Sequence, residues 1–171
     1  MRIFLTGFMG AGKTTVGREL ASRLGCPFVD LDDEIEREAG ADVREIFARE
    51  GEVGFRERER GVFARVAARD PVVVAAGGGT FTRPENLALA RARGLVVWLN
   101  PEFATIVGRL GGLEKDRRPL FRAETSAFDL SRARLASSRT ADLRIDVRAE
   151  ETPAEVAERV RAALRERACA T

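Results

Sequence analysis

The sequence predicts an α/β fold, a three-layer α/β/α arrangement in which helices cover both faces of a five-stranded parallel sheet. Three observations predict it. Five short apolar runs, rich in β-branched residues, recur along the 171 residues. Each is followed by a segment with helical spacing. No repeat, linker or low-complexity stretch divides them, so residues 1–171 are expected to form one domain. Strands covered on both faces read as continuous apolar runs and pair in parallel through helical crossovers.

The elements follow in order. Arg2–Thr6 is an apolar strand entering a glycine-rich loop, and Thr14–Leu24 is a helix that stops at Gly25, a C-cap. Phe28–Leu31 is a short second strand. Glu34–Ala39 and Val43–Ala48 are short helices parted at Gly40, and residues 52–69 carry a charged amphipathic helical pattern. Pro71–Ala76 (PVVVAA) is a buried strand ending at three glycines. Glu85–Arg93 is helical, and Leu95–Leu99 is a strand closed by Asn100-Pro101. Glu102–Leu110 is helical, Gly111–Glu124 a loop, and Ser126–Arg139 helical again. Leu143–Val147 is the last strand, and Pro153–Arg167 the last helix, with Pro in its first turn.

Composition removes several classes of function. Apolar residues make up 44% and charged residues 33%, an ordinary globular balance, and no apolar run reaches the length of a bilayer span. The apolar stretch after Met1 is too short for a secretory signal, so none is expected. A cytoplasmic protein with no membrane partner is expected, and a monomer is the simplest assembly. The net charge of +2 comes from 29 basic and 27 acidic residues of alternating sign, with no basic block to neutralise a run of phosphates, so no nucleic-acid partner is expected. The absence of histidine excludes a His base, a His-containing triad and a His-ligated zinc. Cys26 and Cys169 are read as reduced thiols. Lysine occurs only at Lys13 and Lys115, which makes the position of each informative.

Ligands of a parallel sheet bind beyond the carboxyl ends of its strands, and the chemically suggestive residues lie there. Gly7-Phe-Met-Gly-Ala-Gly12-Lys13-Thr14 matches G-x-x-x-x-G-K-[ST] between a strand and a helix. Backbone N–H groups of Gly10, Ala11, Gly12 and the residues that follow, through Thr15, can cradle phosphate oxygens at a helix N-terminus. Lys13 reaches the β- and γ-phosphates, and Thr14 offers a hydroxyl to Mg²⁺. Asp30-Leu31-Asp32-Asp33 closes the second strand. Positions i and i+2 of a strand share a face, so Asp30 and Asp32 should point together past the sheet edge, one toward metal and the other toward a substrate hydroxyl. The alternative is that these residues cap the following helix, with Asp33 the best candidate. Gly77-Gly78-Gly79 stands where many P-loop proteins carry an acid. It therefore leaves the metal to Thr14 and Asp30, and it suits a close backbone approach to a ligand. Arg56 has Glu59 three residues on to fix its guanidinium. Phe47 and Phe55 flank it, either as a pocket wall or as core. Arg118 lies in the 111–124 loop, where a cation can meet the transferred phosphate.

Taken together, GFMGAGKT, VDLD, EGEVGFRERE, the triple glycine, RRPL and a late arginine before A-D-x-x-I-D resemble the shikimate kinase family, from residue 2 to about 146. The resemblance implies a P-loop kinase fold with a lid over about 111–124 and a substrate-binding region over about 31–62. It implies transfer of the γ-phosphate of ATP to the 3-hydroxyl of shikimate, with Mg²⁺, in chorismate biosynthesis. Residue by residue, it implies Lys13, Asp32 and Arg118 as catalytic groups. Gly10, Ala11, Gly12, Lys13, Thr14, Thr15, Arg109 and Arg118 would hold ATP, and Thr14 and Asp30 the metal. Asp32, Arg56, Gly77, Gly78, Gly79 and Arg134 would hold shikimate. The family's second carboxylate-binding arginine usually precedes Pro-Leu-Tyr, which is missing here. Arg134 has the expected spacing from Leu130, and Arg132 stands as the alternative. Two other functions compete with this one. One is a gluconate- or nucleotide-kinase activity on the same scaffold, which would not need Arg56. The other is a non-catalytic nucleotide-binding module, which would not need Lys13, Asp32 and Arg118 together.

Overall fold

The computed structural model describes residues 1–102, 104–106 and 140–169. Five strands form one parallel sheet: β1 (Arg2–Thr6), β2 (Phe28–Asp30), β3 (Val72–Ala75), β4 (Leu95–Pro101) and β5 (Leu143–Val147). Their order is β2-β3-β1-β4-β5, with every neighbouring pair parallel. The alternation of side chains along each strand divides the core into two layers. Ile3 and Leu5 of β1 join Val97, Leu99 and Ile145 on one face, covered by α1 (Lys13–Leu24) and the C-terminal helix α5 (Pro153–Cys169). Phe4 joins Val29, Val72, Val74 and Val96 on the other face, covered by α2 (Leu31–Ala39), α3 (Val43–Val66) and α4 (Pro84–Arg93). Phe63 stands edge-on between Phe4 and Phe81, at centroid distances of 5.5 and 5.6 Å. Burying one such side chain contributes roughly 1.5–3 kcal/mol.

The expected fold is present, with three adjustments. First, β2 ends at Asp30 and α2 begins at once at Leu31, so Asp32 belongs to a helix and not to a strand. Second, the cap of α2 is Asp30 and not Asp33: its side chain accepts from the Asp32 N–H at 3.1 Å. Third, the segments expected as Val43–Ala48 and 52–69 run end to end through a break at Gly51, whose φ of 69° and ψ of −176° are open almost only to glycine. A capping box between Asp42 and Glu45 starts α3, and Glu50 grips Arg58 across the break at 2.6 Å. Of the helix expected over Glu102–Leu110, Glu102 is described and lies outside a helix, and residues 104–106 are described and helical. The loop expected over Gly111–Glu124 and the helix expected over Ser126–Arg139 lie outside the described residues, and no helix among those described is long and apolar enough to cross a membrane.

Candidate active site

The carboxyl ends of β1, β2 and β3, adjacent in the sheet, carry the site. The loop after β1 turns through Gly10 and Gly12, both at positive φ (77° and 85°). Gly12 enters α1 in the left-handed conformation with no side-chain cap, and the first turn holds no acidic residue. The helix therefore presents N–H groups and a partial positive charge to the loop's interior, which suits an anion. Ala11 turns its side chain into the core beside α1, and its N–H donates to the Phe8 carbonyl at 3.1 Å. The Lys13 ammonium lies across the loop, donating to the carbonyls of Gly7 (3.0 Å) and Phe8 (3.1 Å). The Thr15 hydroxyl donates to the Gly12 carbonyl at 3.0 Å.

A cavity of about 180 Å³ opens on this loop, lined by Gly10, Gly12, Lys13, Thr14, Thr15, Asp30, Asp32, Ala75 and Ala76. The two carboxylates come together here for a different reason from the strand spacing. Asp30 is the last residue of β2 and Asp32 stands in the first turn of α2, and the sharp strand-to-helix turn brings both to the cavity. One oxygen of Asp30 caps α2; the other accepts from the Thr14 hydroxyl at 2.6 Å. Asp33 points away, 3.8 Å from Arg18, with its carboxyl raised above the usual aspartate range by partial burial first and by the charge of Asp30 second.

Beyond Asp32, the glycine turn joins the cavity to Arg56. A Cβ on Gly77 would stand 3.1 Å from Asp32 Oδ1, from Glu59 Oε1 and from Thr80 Oγ1. A Cβ on Gly79 would stand 2.5 Å from Arg56 Nη2 and 2.8 Å from Nη1. No residue of the turn has a positive φ, so close approach and not backbone conformation accounts for these two glycines. Arg56 donates from Nη1 to Glu59 at 2.8 Å, the pairing expected from their spacing. Its guanidinium lies 5.4 Å from the centre of Phe55, which packs on Phe47 at 4.5 Å. Glu59 itself is fully buried. A buried carboxylate is tolerated when it is paired and hydrogen-bonded, and its second oxygen accepts from Thr80 at 2.7 Å.

Comparison with known proteins decides the family. The profile described as shikimate kinase matches residues 9–165. The chain belongs to the shikimate kinase family. The shikimate kinase of Symbiobacterium thermophilum is 53% identical over 120 residues, covering 70% of this chain and 69% of that protein. A solved shikimate kinase from Acinetobacter baumannii, in complex with shikimate, superposes with a TM-score of 0.91 at 37% identity, over 97% of this chain and 93% of that one. A gluconokinase from Sinorhizobium meliloti reaches a TM-score of 0.62 at 19% identity, over 96% and 91% of the two chains, and shares the fold alone.

In this shikimate kinase family member the structure brings Gly10, Gly12, Lys13, Thr14, Thr15, Asp30 and Asp32 to one cavity. It sets Gly77 directly beside Asp32, and Gly79 against the Arg56 guanidinium. Arg109, Arg118, Arg132 and Arg134 lie outside the described residues. Sequence reasoning did not single out Thr80 or Asn86. Both are polar and buried, and the Asn86 amide donates to the Thr80 carbonyl at 2.9 Å. Nothing local marks them, since Thr80 meets Glu59 across 21 positions of sequence.

Proposed function

We propose that the chain transfers the γ-phosphoryl group of ATP to the 3-hydroxyl of shikimate, giving shikimate 3-phosphate and ADP for chorismate biosynthesis. One observation beyond family membership carries this reading. The Asp32 carboxylate lines the same cavity as Lys13 and Thr14, with an arginine held by a buried glutamate immediately beyond it. A phosphate cradle, a short acid and a fixed fork for a carboxylate thus stand in one row. In-line phosphoryl transfer to a hydroxyl of a carboxylated ring needs these groups.

The N-terminal amides of α1 and the Lys13 ammonium bind and neutralise the triphosphate. Asp32 orients the 3-hydroxyl and accepts its proton as the oxygen attacks phosphorus. Arg56, with Arg134 as its partner, takes the substrate carboxylate by parallel N–H···O bonds, which a lysine cannot reproduce. Arg118 meets the charge on the transferred group, and Arg109 packs on adenine. The Thr14 hydroxyl and the Asp30 carboxylate, two hard oxygen donors in contact on the cavity wall, fit Mg²⁺. Such an ion takes one or two protein oxygens and completes its shell from phosphates and water. Mg²⁺ supplies charge neutralisation on the phosphate oxygens when bound. The same reading makes the protein a cytoplasmic monomer, and its cysteines Cys26 and Cys169 are free thiols.

The test is ADP release from MgATP with and without shikimate, in wild type and in Asp32→Ala. Shikimate-dependent turnover that falls at least a hundredfold in the variant, with the KM for ATP held, is the expected result. ATP binding with no shikimate-dependent turnover in wild type overturns the assignment.

A further inference from the structure

Behind Arg56 lies a chain of buried polar contacts that no substrate or nucleotide group explains. The Asn86 side chain, 2% exposed, donates to the Thr80 carbonyl at 2.9 Å. The Thr80 hydroxyl, fully buried, donates to one oxygen of Glu59 at 2.7 Å. The other oxygen of Glu59 receives Nη1 of Arg56 at 2.8 Å. The Thr80 N–H also donates to the Gly77 carbonyl at 3.1 Å, so the start of this chain is built into the glycine turn.

We propose that Thr80 and Asn86 are positioning residues for carboxylate recognition, setting the orientation of the Arg56 guanidinium through Glu59. The inference rests on the reading of Arg56 as a substrate-binding group. The physical argument is one of torsion. A glutamate held at one oxygen alone can swing about its terminal bonds and carry the arginine with it. Held at both oxygens it has one orientation, and so has the plane of the fork it grips. Bidentate binding of a carboxylate depends on that plane more than on charge. A hydrogen bond to a charged group, lost from a buried site, also leaves the carboxylate under-satisfied. The relay crosses three elements, α3, the 3-10 turn Thr80–Thr82 and α4. It therefore fixes Arg56 to the rigid β3–α4 connection as well as to its own helix.

The experiment is steady-state kinetics of the full chain with both substrates, in wild type, Thr80→Val and Thr80→Ser. Val keeps the shape of Thr and removes the hydroxyl; Ser restores the hydroxyl. The expected result is a KM for shikimate raised roughly tenfold in Thr80→Val. The KM for ATP and kcat should each stay within about threefold. Thr80→Ser should return the shikimate KM to within about threefold of wild type. Should Thr80→Val not fold, Thr80→Ala and Asn86→Ala carry the same expectation, with melting temperature recorded for each. A merely structural role would lower the melting temperature and leave the shikimate KM unchanged, or raise both KM values together; either result overturns the proposal. Wild type that turns over shikimate while Thr80→Val matches it in shikimate KM overturns the positioning role alone. Wild type without shikimate-dependent turnover overturns the substrate reading and this inference with it.

Discussion

The absent side chain at Gly79 makes room for a guanidinium. An added Cβ would fall 2.5 Å from the nearer nitrogen of Arg56, closer than carbon and nitrogen can stand, and the obstacle is the movable end of a long side chain and not backbone. Gly79→Ala forces Arg56 aside and takes from the fully buried Glu59 its paired cation. Gly79→Ala is therefore expected to raise the shikimate KM by about tenfold or more and to lower the melting temperature as well, read by kinetics and thermal unfolding on one preparation. Gly17→Ala should lower stability and leave the shikimate KM unchanged. Its Cβ would meet the Phe28 ring at 2.5 Å inside the α1 layer, away from the cavity. Overpacking of that kind costs about 1–3 kcal/mol, measurable by urea unfolding. Three glycines in a row are visible in the sequence as a feature that needs a reason. Which reason applied was hidden, because Arg56 reaches Gly79 only through the tertiary fold.

At the scale of elements, α3 is two helical pieces joined at a glycine. The Gly51 conformation lies outside the range of other residues, and nothing stands within 4 Å of where a Cβ would be. Gly51→Ala should thus show backbone strain without steric crowding, a loss of about 1–3 kcal/mol in urea unfolding. Helix α2 is also tied by ion pairs, within itself and to the turn that follows α3. Glu34 accepts from Arg69 at 2.6 Å and pairs with Arg37 at 3.0 Å. The hydrogen bond from Arg37, followed by that from Arg69, holds its carboxyl below the usual glutamate range despite an opposing effect of burial. A carboxyl lowered in the folded state adds stability above its unfolded pKa and gives it up as pH falls through the folded value. Melting temperature followed from about pH 5 to about pH 3 should drop less steeply in Glu34→Gln than in wild type. Much of this level was legible: the strands at Arg2–Thr6 and PVVVAA, the Gly25 cap and the Pro start of the last helix each carry a local signal. The register at Asp30–Asp32 was not, because a strand ending and a helix cap use the same residue type and only the Asp30–Asp32 N–H contact separates them.

For the whole molecule, three loops from neighbouring strands meet at one end of the sheet, so a nucleotide bound there should stabilise the entire fold. MgATP at about a hundred times its Kd should add about 2.7 kcal/mol. For a chain of this size that is a rise in melting temperature of about 5–10 °C. Lys13→Met should abolish most of the rise, because the ammonium that lies across the loop is removed. The cradle itself was legible in full from Gly7 to Thr14, since its eight residues are contiguous and its chemistry is local. The support behind Arg56 was not, since it is assembled from α3, the turn after β3 and α4. The contact between Asp30 and Thr14 bears on how such scaffolds can change substrate. Asp30 serves both parties, holding a cradle hydroxyl with one oxygen and the first turn of the substrate arm with the other. Residues 31–62 also pack into the core over one face of the sheet and reach the turn after β3 through Glu59 and Thr80. A foreign arm spliced in after residue 30 must therefore match that packing as well as offer an N–H where Asp32 now does.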